Sequence, residues 1–508
     1  MSNKYLGVTA LNLTGKAVAL SKFFLIASAY GTSYQLDAFN IAYLIPFMLP
    51  NILKGIVTTA FIPYILKTEA QDEEQLFKGL FIVTVFSLVL FSGLGWLVYI
   101  FAEEIVFLIA ADASLDTLLL AKELLQWLAL VIPILGFNGI LISLANAYDR
   151  FYIPAAESLT TNLFIILLLA LATEPSVQML VYSVLVGFGV FFLMLIASNI
   201  SLLKKFRFTL TLKGHGLATP FKQVLPLSLG FGGAFIMSLV DLRYVSKLGE
   251  GSYSALNYGI MLSTLPMEIF VGAVITTMYP VIAKAVGNKK ALTESFEHGM
   301  VRILFFSIPS AMVLSALSLP IIIALFYRGA FNEESVLLTQ QALVFLGLGI
   351  FPQSIAYFCY RYLHAANFSW IQIAIGYFGV ATNWTLNALL YEQYGLLGIS
   401  FATFFSLCQS ALLSCIALRV RLEVNAFAIV ARSILALAHA IIKLSVVVGL
   451  LFAAVIYLNQ VLYQSWLAFS LLGALGLGIV FVFFSTSWEA VPEMNGFKHK
   501  LASRMRRA

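Results

Sequence analysis

Apolar runs long enough to cross a bilayer recur along the whole chain, for example Phe81 to Ile100 and Leu467 to Phe484. A segment inside a bilayer finds no water for its backbone groups, so it is a helix or part of a closed barrel. Barrel strands would be segments of roughly ten residues with alternating polarity. The runs here are longer and apolar on all sides, which selects helices. Only 11% of the 508 residues are charged and 61% are hydrophobic, where a soluble chain carries about 25% charged residues. The sequence therefore predicts an all-α polytopic membrane protein.

Fourteen segments qualify as candidate transmembrane helices: 6–29, 37–66, 77–102, 116–147, 153–173, 176–201, 219–247, 253–283, 297–326, 334–365, 370–391, 395–419, 430–458 and 463–486. Loop charges test this assignment, because Lys and Arg favour the cytoplasmic side. With a cytoplasmic N-terminus, the inside loops hold Lys67, Lys78, Arg150, Lys204, Lys205, Arg207, Lys284, Lys289, Lys290, Arg419 and Arg421. The outside loops hold little beyond Lys247 and Arg328, with acids such as Glu103, Glu104 and Glu250. Both termini are thus expected inside. The net charge of +6 is explained by these loops, and nucleic acid is not an expected partner. No cleavable leader is evident, since Asn12, Thr14, Lys16 and Lys22 make the first segment too polar.

The chain also repeats itself. Shifted by 217 residues, Asp37–Lys67 overlies Ser254–Lys284 without a gap, with nine of 31 positions identical. The matches include Asn40/Asn257, Gly55/Gly272, Pro63/Pro280 and Lys67/Lys284. Helix 2 maps on helix 8 in the same orientation, which implies two pseudo-symmetric six-helix lobes, as in transporters that bind substrate between halves. The expected organisation is an N-lobe over 1–203, a cytoplasmic linker over 204–218, a C-lobe over 219–422, a helix pair over 423–488 and a basic cytoplasmic tail over 489–508.

Ionisable groups within spans cost about 2.5–3.5 kcal/mol each and usually face protein or water. Here they are Lys16, Lys22, Lys54, Asp241, Arg243, Glu268, Arg361 and Lys443. Lys16, Lys22 and Lys54 read either as cations lining a cavity for an anion or as side chains reaching an interface. Asp241, with Asn383 and Asn387 on one helix face and Thr403 nearby, offers hard oxygen ligands for a small cation. The same groups could instead form a hydrogen-bond network between helices. Glu268, after Pro266, reads as a gating or protonation group, or as a partner of a lysine. No phosphate-cradling glycine loop, HExxH or GxSxG is present, and the histidines are scattered. Cys359, Cys408 and Cys415 form no zinc or disulfide pattern. A transporter is expected, not an enzyme, with no resident cofactor.

Four stretches carry a family resemblance: "DAFNIAYLIPFMLPNILKGIVTTAFIPYI" from Asp37, "ANAYDRFYIPA" from Ala145, "GSYSALNYGIMLSTLPMEIFVGAVITTMYPVIAKA" from Gly251, and "LFYRGAFNEESVLLTQQAL" from Leu325. They resemble the MurJ (MviN) family of lipid II flippases, within the multidrug/oligosaccharidyl-lipid/polysaccharide exporter superfamily. The resemblance implies fourteen helices and a cationic cavity for the diphosphate of an undecaprenyl-linked sugar. It places the family's cavity arginines on Lys16, Lys22 and Arg361, with Lys54 as nearest equivalent in helix 2. The arginine near the start of helix 8 falls on Met261, for which Arg243 could compensate. The resemblance also implies a sodium site from Asp241, Asn383, Asn387, Thr403 and the backbone oxygen of Ile399, with Asn387 standing where the family has a carboxylate.

The expected function is a flippase that moves an undecaprenyl-diphosphate-linked saccharide, lipid II or a related lipid-linked glycan, across a bacterial inner membrane by alternating access. Substrate contacts are expected from Lys16, Lys22, Lys54, Arg243 and Arg361, and coupling from Glu268 and Asp241. Membrane lipids are expected neighbours, the chain is expected to act as a monomer, and glycan-assembly enzymes are candidate associates. The alternative is a cation-coupled multidrug exporter of the same superfamily.

Overall fold

The computed structural model describes residues 2–172, 175–209, 211, 215–461 and 476, and all secondary structure among them is helical. In chain order the helices are α1 Ser2–Tyr30, α2 Tyr34–Glu69, α3 Glu73–Ile100, α4 Ala102–Ile109, α5 Leu115–Leu128, α6 Val131–Ala147, α7 Tyr152–Ala155, α8 Glu157–Leu171, α9 Val177–Leu203 and α10 Ala218–Val245. They continue with α11 Ser252–Pro266, a π-helical turn Met267–Val271, α12 Gly272–Ala285, α13 Lys289–Ala316, α14 Ser318–Phe326, α15 Glu333–Ala365, α16 Ser369–Leu422 and α17 Ala426–Val461.

Each of the first thirteen expected segments overlaps a helix. Nine helices among the described residues are long and apolar enough to span a membrane, or ten if α5 and α6, bent by 42°, count as one span. The number fourteen is not established on that criterion. Part of the difference lies in α16, whose 54 residues are broken at Gly395 (φ 54°, ψ −133°). The chain folds back there: Ser406 Oγ donates to the Gly379 carbonyl at 2.9 Å and Asn383 Nδ2 to Thr403 Oγ1 at 3.2 Å. These two arms are the expected segments 370–391 and 395–419. The expected fourteenth helix, most of the 423–488 pair beyond α17, and the basic tail lie outside the described residues.

Two compact units emerge, Met1–Gly251 and Ser252–Ala508. Counted from α2 in the first and from α11 in the second, their helices follow one another in the same order. A long helix is followed by a short apolar one in both cases, α3 by α4 and α13 by α14. The same turns are capped by short polar side chains, which accept from an otherwise orphaned amide. Asp72 caps α3 and Asn288 caps α13; Ser114 caps α5 and Asn332 caps α15. The repeat read from α2 thus extends through the local structure around it. Residues 218–245, expected as the first helix of the second lobe, pack as α10 against α2 and α4 in the first unit.

The packing is that of helices in lipid. On α3, Phe77, Leu80, Val83 and Phe91 are buried, while Val89 and Trp96 on other faces are exposed. With no polar face, the exposed side is suited to acyl chains and not to water. In the second unit, α13 and α15 close on Phe296, Phe358 and Tyr362, with Phe358 and Tyr362 each 5.1–5.3 Å from Phe296 by ring centroids. A β-carbon on Gly299 would lie 2.2 Å from Phe358, so this crossing requires glycine. Tyr362 Oη donates to Ser295 Oγ at 3.1 Å. Tyr362→Phe should cost about 1 kcal/mol, read as a lower melting temperature in detergent.

Polar contacts gather at the ends. Lys205 pairs with Glu73 at 2.6 Å and lies over the Phe77 ring, and Phe206 and Phe208 pack on Phe77 and Phe81. Tyr64 Oη donates to the His215 carbonyl at 2.8 Å. The described residues 205–208 and 215 are thus docked along α2 and α3. In the second unit Lys289 pairs with Glu423 at 2.6 Å and holds that carboxyl below its ordinary range. The pair is exposed, so it contributes little to stability.

Candidate functional site

A cavity of about 360 Å³ lies within the first unit, among α1, α2, α8 and α9. Its α2 wall is a single helix face. Tyr43, Phe47, Asn51 and Lys54 follow one another at spacings of four, four and three residues. Phe39, Tyr43 and Phe47 stack in sequence, with centroids 5.4 and 4.6 Å apart. Asn51 Nδ2 bonds the Phe47 carbonyl at 2.7 Å, close to Pro50, whose ring nitrogen cannot donate. The α1 wall carries Asn12, Ala19 and Lys22. The α8 wall carries Glu157, Ser158, Thr161, Asn162 and Ile165.

Two glycines set how closely these walls approach. A β-carbon on Gly15 of α1 would stand 3.1 Å from the Leu159 amide nitrogen of α8. One on Gly139 of α6 would stand 3.2 Å from Lys54 Cα. The helix bearing Lys54 is thereby seated directly on α6. Within the cavity Lys54 Nζ meets Glu157 Oε1 at 2.6 Å, with side chains only 17% and 23% exposed. Lys22 Nζ lies 4.7 Å from the Phe23 ring centroid, a favourable cation–π distance. The cavity thus offers two cations, one carboxylate, three carboxamides and an aromatic ladder.

The family model described as "Lipid II flippase MurJ" matches residues 26–475. The chain belongs to the MurJ lipid II flippase family. It is accordingly a multi-span membrane transporter and not an enzyme. Among its relatives, the "Lipid II flippase MurJ" of Thermosipho africanus is 28% identical over 389 residues, covering 76% of this chain and 79% of that protein. The "Probable lipid II flippase MurJ" of Buchnera aphidicola from Acyrthosiphon pisum is 27% identical, covering 68% and 69%. A solved structure described as "Lipid II flippase MurJ, inward closed conformation" superposes with TM-score 0.73 at 25% identity, covering 91% of this chain and all of that one. An inward-facing multidrug resistance MATE transporter of the MOP superfamily superposes at 0.66 with 14% identity, which shows a shared fold alone.

Among the residues singled out in this MurJ family member, Lys22 and Lys54 line the cavity and Lys16 does not. Lys16 is exposed and precedes Lys22 by six positions, which turns it about 120° around the helix. Arg243 Nη1 pairs with Asp112 Oδ2 at 3.1 Å on the partly exposed rim of the first unit and is absent from the cavity lining. Arg361 lies in the second unit with its guanidinium 5.3 Å from the Tyr357 ring centroid. Met261 is buried in α11. Glu268 sits exposed on the π-helical turn that follows Pro266, and Lys443 is exposed on α17.

The candidate sodium ligands divide between the units. Asp241 is buried in α10 of the first. In the second, Asn387 Nδ2 donates to Asn383 Oδ1 at 3.1 Å, Asn383 Nδ2 to Thr403 Oγ1 at 3.2 Å, and Thr403 Oγ1 to the Ile399 carbonyl at 3.3 Å. The four groups of the second unit are brought together as a hydrogen-bonded relay. No cluster of three or more His, Cys, Asp or Glu residues suited to a metal occurs among the described residues.

Sequence reading missed Glu157, Asn51 and Asn162 in the cavity. The available signal was Glu157 itself, an acid opening an otherwise apolar segment shortly after Pro154.

Proposed function

We propose that this protein carries an undecaprenyl-diphosphate-linked saccharide, lipid II or a close relative, from the cytoplasmic to the outer leaflet of a bacterial inner membrane by alternating access. The observation that carries the reading is the placement of Lys22 and Lys54 in one cavity between membrane helices. Ammonium groups among membrane helices are costly; Glu157 offsets part of that cost at Lys54, and a bound anion would offset the rest. A diphosphate is such an anion. The asparagines and the aromatic ladder on α2 offer hydrogen bonds and flat apolar faces for the sugar. The lipid tail stays in the bilayer.

With both termini cytoplasmic, a membrane potential negative inside favours outward movement by roughly 2.3 kcal/mol per negative charge per 100 mV. Sodium belongs to the same proposal as a coupling ion. In the second unit the carboxamide oxygens of Asn383 and Asn387, the Thr403 hydroxyl and the Ile399 carbonyl are oxygen donors of the kind a hard cation requires, and Asp241 is the carboxylate candidate of the first unit. Bound there, sodium would supply a gradient for returning the carrier. The working unit in this reading is the single chain, in contact with membrane lipid and with the enzymes that assemble the glycan.

Mass spectrometry of lipids that copurify in mild detergent tests the substrate. A glycosylated undecaprenyl diphosphate is expected, and bulk phospholipid alone would overturn the reading. Lys22→Gln should slow flipping of a fluorescent lipid II analogue in proteoliposomes roughly tenfold, equivalent to about 1.4 kcal/mol. An unchanged rate in a folded variant would remove Lys22 from the binding site.

A further inference from the structure

The cation that lines the cavity from α2 is already engaged. Lys54 Nζ is 2.6 Å from Glu157 Oε1, and both side chains line the same cavity as Lys22. Glu157 opens α8, where the free amides of a helix N-terminus also favour a negative charge. Thr161 Oγ1 holds the Glu157 carbonyl at 2.9 Å, and Asn162 Nδ2 holds the Ser158 carbonyl at 2.6 Å, so the first turn that presents the carboxylate is itself braced. The lining therefore carries two positive charges and one negative, a net of one positive among these ionisable side chains. A cavity built only to hold an anion tightly would omit the carboxylate.

We propose that Glu157 is an intramolecular competitor for the substrate's anionic headgroup. In the empty cavity it neutralises Lys54. A phosphate group gains Lys54 only by separating that pair, and the pair re-forms when the phosphate leaves. Two consequences follow. Free cytosolic anions, which bring no lipid or sugar contacts, are excluded, because opposing the wrong ligand is half of specificity. Release of the cargo is assisted, because Glu157 returns to the lysine that the headgroup vacates. Glu157 is thus a specificity and release residue whose action runs through Lys54. The inference rests on the reading of the cavity as an anion site.

The test uses the full chain in detergent with inorganic diphosphate as probe, followed by calorimetry. Glu157→Gln should bind diphosphate roughly tenfold more tightly than the wild type. The gain should vanish in a Lys54→Gln background, and Glu157→Asp should keep the wild-type affinity. In proteoliposomes Glu157→Gln should bind a lipid II analogue more tightly yet flip it more slowly. A merely structural carboxylate would not give tighter binding that depends on Lys54. Unchanged or weaker binding by Glu157→Gln, with melting temperature preserved, overturns the inference. So does a tenfold gain that persists without Lys54. If Lys22→Gln and Lys54→Gln bind diphosphate as the wild type does, the anion-site reading itself fails, and the role of Glu157 falls with it. If the lysine variants lose binding while Glu157→Gln shows no gain, only the competitor role is lost.

Discussion

Lys54→Leu should abolish flipping in proteoliposomes, by a hundredfold or more, and should also destabilise the protein. The stability loss is not the worth of one ion pair. It is the cost of leaving the Glu157 carboxylate, 23% exposed, without the ammonium that it meets at 2.6 Å. Breaking a buried pair from one side costs about 3–5 kcal/mol, whereas replacing both partners with apolar side chains is often neutral. The partial exposure of both side chains places this pair towards the lower end of that range. The double variant Lys54→Leu/Glu157→Leu should therefore recover most of the melting temperature and none of the transport. If single and double variants melt together, the pair is energetically irrelevant. If the double variant transports, Lys54 does not hold the substrate.

Gly251→Ala should be comparably severe for folding. Gly251 has φ of +80°, a conformation that costs an L-residue about 1–2 kcal/mol. A β-carbon there would also lie 2.2 Å from the Thr32 carbonyl oxygen, which is backbone and cannot swing aside. The amide meanwhile donates to Asp37 Oδ2 at 2.7 Å, on a carboxylate that is 5% exposed. Relieving the clash pulls this bond apart, and a buried charged acceptor that loses a donor costs more than a neutral one. The expected result is a loss of about 3 kcal/mol or more, seen as poor yield and early melting. Gly249→Ala supplies the contrast. Gly249 has φ of +99° but open space where the β-carbon would go. It should suffer the backbone strain alone, and equal effects at the two positions would show that the Thr32 contact is unimportant.

Much of the fold was legible because membrane helices are written in long apolar runs and loops in charge. The reversal at Gly395 was visible as a break between two runs. The short helices α4 and α14 were not, since Glu103 and Glu104 at the start of Ala102–Ile109 read as a loop and Ser318–Phe326 continues the apolar composition of the span before it. Lys22 and Lys54 stood out as charges in the wrong solvent. Arg243 stood out for the same reason, yet its partner Asp112 is 131 positions away in a loop, and no local pattern announces that pairing. Glu157 was hidden by its place at a helix start, where acids are ordinary, although its partner lies 103 residues earlier. Charge in a span signals that a partner exists. It does not say which one, because that depends on how α2 rests on α6 and α1 on α8.

The position of α10 bears on how this protein can be taken apart. By repeat, a cassette exchanged with a relative would begin near residue 218. By packing, that cut severs α10 from its neighbours α2 and α4, whereas the boundary between the compact units falls at Gly251–Ser252. Chimaeras spliced before α10 would pair a foreign helix with a native groove. Those spliced after Gly251 would carry the contacts within each unit intact, so the modules available to an engineer are offset by one helix from those that the sequence repeat marks.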